Sequence, residues 1–196
     1  MFLGRTLPGL VALPLTLDSF FWILGRVAGL SSFAALSISL VTGVALRSGL
    51  LGGLANNRAM RSTHEFTAVL WIPLGLLHVA ALVLDQTARV AIQDVFVPFL
   101  ANYDYNGKLA LGLGTISLDV FVLVAVTGWL KSRINPRAWR WIHRLSYLAY
   151  ATVFLHGVLG GSDFSSPVIS ALAWSTAFAL GVFSLGRVLW GRLPAR

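Results

Sequence analysis

Five stretches of this chain, roughly residues 20–46, 64–84, 109–130, 141–160 and 167–189, stay apolar for the roughly 20 positions a helix needs to cross the hydrocarbon core of a bilayer. Of the 196 residues 57% are hydrophobic and only 11% charged, less than half the charged share of an ordinary globular domain, about 25%. The expectation is an all-α integral membrane protein, one bundle of about five transmembrane helices over residues 20–190. An interfacial amino-terminal segment covers 1–19 and a short cytoplasmic tail 191–196. Pro8 and Pro14 interrupt the apolar run from Leu7 to Leu17 and no small-residue cleavage pattern follows, which favours an interfacial segment over a removed signal peptide. An apolar segment around Pro98, Val95 to Leu100, predicts a short element on the outer surface. No internal repeat is evident.

The formal net charge is +8, and its placement argues for membrane topology rather than nucleic acid. Eleven of the 15 basic residues share one side: Arg47, Arg58 and Arg61 in one connection, Lys131, Arg133, Arg137 and Arg140 in another, then Arg144, Arg187, Arg192 and Arg196. Positively charged loops stay in the cytoplasm, so the amino terminus is expected outside and the carboxyl terminus inside a bacterial inner or plasma membrane. Asp18, Asp85, Asp94, Asp104 and Asp163 fall on the outer side. Trp22, Trp139, Trp141 and Trp190 lie near span ends, as a headgroup belt requires. With no cysteine, disulfides, thiolate zinc sites and iron–sulfur clusters are excluded, and a metal must rely on histidine or oxygen.

The chain has four histidines, in two pairs: His64 and His78 in the second span, His143 and His156 in the fourth. An imidazole inside a bilayer is costly and marks a functional site. The second and fourth spans run in the same direction, so the early histidines share the inner half and the late ones the outer half. Two layers follow, His64 with His143 and His78 with His156, roughly 20 Å apart at about 1.5 Å per residue. One haem fits each layer, with His64 and His143 on the inner iron and His78 and His156 on the outer. Two axial histidines leave no open position on iron, which suits electron transfer. A zinc or di-metal site is the chemical rival, but only Glu65 is near as a carboxylate. One mismatch remains. The spacing of 14 residues keeps His64 and His78 on one helix face, whereas 13 residues leave His156 turned roughly 140° from His143 on an ideal helix. An overwound segment or bulge near Gly157, or rotated haem planes, would absorb this.

Secondary candidates surround these four. Trp71 and Tyr150, each seven residues from a histidine, are candidate spacers between the haems or ordinary aromatic core. Arg61, Arg140 and Arg144 lie within a turn of the inner histidines and are candidates to pair with haem propionates, or serve only to set topology. Asp119 is an intramembrane carboxyl with no evident partner.

The segments RSTHEFTAVLWIPLGLLHVAAL and WRWIHRLSYLAYATVFLHGVLGG resemble the haem-ligand helices of the ferric reductase-like transmembrane domain shared by NADPH oxidases, ferric reductases and the haem subunit of a periplasmic methionine sulfoxide reductase. The resemblance covers roughly residues 20–190. It implies a di-haem cytochrome b that takes electrons from a cytoplasmic-side flavoprotein or quinol and passes them to an extracytoplasmic acceptor, as the electron-transfer subunit of an oxidoreductase. A flavin or quinone supplied by or shared with a partner is the further cofactor candidate, and membrane lipid the general partner. This chain shows five spans rather than the family's usual six and no reductase domain, so the donor stays open. The alternatives are a quinol-dependent haem subunit of a periplasmic reductase and a non-enzymatic haem-carrying structural subunit of a membrane complex.

Overall fold

The computed structural model describes residues 16–48 and 56–190; the expected interfacial segment up to residue 15, the tail over 191–196, and Arg192 and Arg196 lie outside the described residues, as do the side chains of Arg47, Arg187 and Trp190. The described chain is all helical: α1 (Leu17–Ser48), α2 (Asn57–Leu84), the short α3 (Ile92–Phe96), α4 (Tyr105–Trp129), α5 (Pro136–Gly160) and α6 (Pro167–Trp190), with a 3-10 turn at Ser162–Ser165. Each long predicted span corresponds to a helix, but the first four of these begin earlier than their apolar runs. Asn56 caps α2 by accepting from Ala59 N at 2.7 Å, and Asn135 caps α5 ahead of Pro136. Both caps let a polar first turn be helical, whereas hydropathy reports only the part suited to lipid.

Among the described residues four helices, not five, are long and apolar enough to cross a membrane: α1, α2, α4 and α6. The exception is α5, which has 25 residues and therefore the length. Its first half carries Arg137, Arg140, His143, Arg144, Ser146 and Tyr147, and these polar groups face an interior cleft or the helix's basic end instead of lipid. The expected outer element exists as α3, a turn earlier than Pro98.

The closest packing is within two successive antiparallel pairs, α1 with α2 and α4 with α5. α6 and α1 close the bundle around a core of Ala35, Leu36, Leu40, Val44, Trp71, Phe121, Ala149, Tyr150 and Leu180. The two histidine-bearing helices, α2 and α5, make almost no close backbone approach to one another. A gap separates them, and the two clefts described next lie in it.

At the outer end Arg26 of α1 makes a two-pronged ion pair with Asp163 of the 3-10 turn, Nε donating to Oδ2 at 3.0 Å and Nη2 to Oδ1, while its guanidinium lies 4.1 Å over the Trp22 ring. The guanidinium holds the Asp163 carboxyl below its ordinary value of 3.8. Asp18 of α1 accepts from Gln86 N and Thr87 Oγ1, both at 2.7 Å, which ties the start of α1 to the connection after α2.

Candidate functional site

Across the gap the four imidazoles meet in the two couples expected from their order in the chain. The ring centres of His64 and His143 are 6.2 Å apart with planes at 83°, and those of His78 and His156 are 6.3 Å apart at 80°. Helices α2 and α5 place these side chains at corresponding depths because both run the same way and carry them almost equally far apart. The irregular spacing on α5 does not break its helix; no 3-10 or π segment interrupts Pro136–Gly160. Side-chain support differs instead. His156 is bonded to α4, and His143 lies flat on Trp139 of its own helix, centres 5.1 Å apart and planes at 19°. Trp139 therefore leaves the expected headgroup belt and joins the inner cleft, whereas Trp141 stays exposed beneath the Arg144 guanidinium at 4.9 Å.

Three of the four rings are held by the same device. His78 Nδ1 donates to Gly25 O at 2.7 Å, His64 Nδ1 to Ser39 O at 2.8 Å and His156 Nδ1 to Ala110 O at 2.8 Å. A ring that donates from Nδ1 to a helix carbonyl is fixed as the tautomer whose Nε2 keeps its lone pair, the arrangement that metal-ligating histidines use. Four residues beyond each accepting carbonyl stands a glycine. A β-carbon on Gly29 would lie 2.7 Å from His78 Nδ1, one on Gly43 3.0 Å from His64 Cε1, and one on Gly114 2.7 Å from His156 Nδ1. Only a bare backbone admits the ring so close to the carbonyl. Helix α1 carries two such couples with glycines 14 residues apart, whereas α4 carries one: a β-carbon on Gly128, 14 residues beyond Gly114, would meet nothing within 4 Å. The carbonyl-and-glycine arrangement therefore holds both histidines of α2 and one histidine of α5.

The inner cleft has a volume of about 990 Å³ and is lined by His64 and His143 together with Arg61, Lys131, Arg140 and Arg144. All three expected arginines therefore reach it. The outer cleft, about 390 Å³, holds His78 and His156 with Trp22, Arg26 and Asp163. Trp71 borders both clefts, as a spacer should, and so do Leu36 and Phe121. Phe121 was not foreseen; it meets Trp71 with ring centres 5.5 Å apart. Tyr150 lines neither cleft. It turns to α1, sharing a hydrogen bond of 2.9 Å with Ser37 and stacking on Phe33 at 5.5 Å, so it belongs to the core. Asp119 is exposed on α4 and borders neither cleft. Among the described residues no group of three or more histidine, aspartate or glutamate side chains is placed to hold a metal ion without another ligand.

Residues 20–163 match a family described as a domain of unknown function (DUF8596). No curated protein and no solved structure matches the chain.

Proposed function

The chain belongs to the DUF8596 family, and from its own geometry we propose that it is a membrane cytochrome b that binds two haems between α2 and α5 and carries electrons across a bilayer. The observation that carries this reading is the separation of the two imidazole couples. A metal–nitrogen bond is about 2.0 Å and an imidazole nitrogen about 1.1 Å from its ring centre, so two rings on opposite sides of one ion have centres about 6.2 Å apart. The couples measure 6.2 and 6.3 Å. Two rings at a tetrahedral angle would come within about 5 Å, and a zinc site would need two more ligands. Opposed imidazoles, three of them tethered to helix carbonyls through Nδ1, on either side of a wide gap would suit the two ligand positions of a porphyrin iron.

Bound there, haem supplies an iron that accepts and releases single electrons. The chain's residues do the rest. His64, His78 and His156 are held by carbonyls so that Nε2 faces away from the helix that tethers it, and His143 is held against Trp139. Arg61, Arg140 and Arg144 give the inner cleft a positive rim suited to propionates. Trp71 and Phe121 fill the space between the clefts and exclude water. In this reading α5 completes a five-span bundle, tolerating its polar residues because they face the cofactors, and the arginine-rich end with the larger cleft is cytoplasmic. With haem held in both clefts, electrons would enter there from a flavoprotein or quinol and leave at the outer cleft to an extracytoplasmic acceptor. The resemblance to ferric reductase-like domains points the same way.

The test is a pyridine haemochrome count with reduced-minus-oxidised spectra of the purified protein. Two haems per chain are expected. His78→Ala or His156→Ala removes the outer one and spares the inner. A wild-type protein purified with haem available and carrying none ends the proposal.

A further inference from the structure

Asp119 is out of place on a helix read as crossing a membrane. It sits within about 3 Å of the midpoint of the 25-residue α4, and its side chain is exposed. Among the described residues no side chain donates to it or forms an ion pair with it; the ion pair found is Arg26 with Asp163. The carboxyl cannot reach water along the helix. Its single methylene spans little, while the ends of α4 lie about 21 and 15 Å away. An ionised carboxylate at mid-depth is costly, and a neutral one leaves a donor and an acceptor unmet in hydrocarbon.

The surroundings show what the acid belongs to. Asp119, Val122, Leu123 and Val126 are all exposed, at the spacing of one helix face. Among the described residues nothing packs on this face: α4 packs on α5 and, at its outer end, α3, and its cleft side is lined by Gly114, Leu118 and Phe121. We propose that the stripe from Asp119 to Val126 is the docking surface for a transmembrane helix of another polypeptide, one that carries a lysine or arginine at mid-membrane depth. Charge decides against a second copy. A symmetric pairing sets Asp119 against Asp119, and the described basic side chains within the expected spans are engaged elsewhere: Arg26 by Asp163, and Arg144 in the inner cleft with its guanidinium over Trp141. The inference requires that α4 cross a bilayer but not that haem be bound.

The full-length protein, fluorescently labelled and reconstituted in phosphatidylcholine vesicles, is mixed with a synthetic transmembrane peptide of about 20 leucines and alanines bearing one central lysine, or leucine in its place, and association is read by energy transfer. The lysine peptide is expected to associate at least tenfold more tightly than the leucine peptide. The difference disappears in Asp119→Leu and survives in Asp119→Glu. Equal association of the two peptides with the wild type overturns the proposal, even if Asp119→Leu fails to insert. So does self-association of differently labelled wild-type copies that Asp119→Leu abolishes, which would assign the face to a second copy. Haem counts of the same preparations separate this outcome from failure of the cytochrome reading.

Discussion

Replacing Gly114 with alanine tests the histidine-holding device directly. The new β-carbon would stand 2.7, 2.9 and 3.2 Å from Nδ1, Cε1 and Cγ of His156, where non-bonded carbon atoms settle at about 3.5 Å or more. The ring must retreat by roughly 0.8 Å, and since Ala110 lies on the same helix, the retreat lengthens the 2.8 Å bond from Nδ1 to Ala110 O to the limit of about 3.2 Å or past it. Losing that bond costs about 1 kcal/mol and the overpacking about 1–3 kcal/mol. Together they predict roughly 2–4 kcal/mol, or about a 30- to 1000-fold loss of affinity at one cofactor position. Titration of the apo protein with haem, followed by absorbance, reads this number. The outer site weakens and the inner keeps its affinity. Gly29→Ala acts likewise through His78, Gly43→Ala weakens the inner site through His64, and Gly181→Ala, where a β-carbon meets nothing within 4 Å, changes neither. Two unaltered affinities in Gly114→Ala would refute the argument that these glycines place the ligands.

Tyr150→Phe deletes the 2.9 Å bond to Ser37 and should lower stability in detergent by about 1 kcal/mol with unchanged haem spectra; a spectral shift would return Tyr150 to the cofactor site. Asp163→Asn removes the ion pair with Arg26. Because the folded carboxyl sits below its ordinary 3.8, the stability it contributes is present above that pH and is lost as pH falls through the folded value. Melting curves of wild type and variant should therefore differ near pH 6 and draw together as pH falls below 3.8, and a gap that widens in acid contradicts the assignment.

The features legible in the sequence were those written in side chains of one extreme kind. Four histidines among so many apolar residues announced both couples, since an imidazole has few other uses in hydrocarbon. The arginines of the inner cleft were legible for the same reason. What holds the histidines was not. The acceptors are main-chain carbonyls of Gly25, Ser39 and Ala110, which any residue offers, and the glycines that make room are three of 19. Phe121 was hidden among 12 phenylalanines, because its value lies in standing opposite Trp71, a tertiary fact. Tyr150 misled by its register: seven residues from His143 put it on nearly the same face, yet a hydroxyl with Ser37 in reach turns toward α1. Hydropathy understated α5, whose polar residues are consistent with lining an interior.

The weak approach of α2 to α5 has a mechanical corollary. Each arm of the molecule is zipped to its own neighbour, so whatever spans the seam between the arms is a structural member as much as a reagent. A group bound at a thousand times its dissociation constant adds about 4 kcal/mol to the folded state, and under the proposed reading two such groups would bridge one plane. Starved of them, the protein should part along that plane while its separate hairpins persist, and the supply of the bridging group would then set how much chain survives proteolysis.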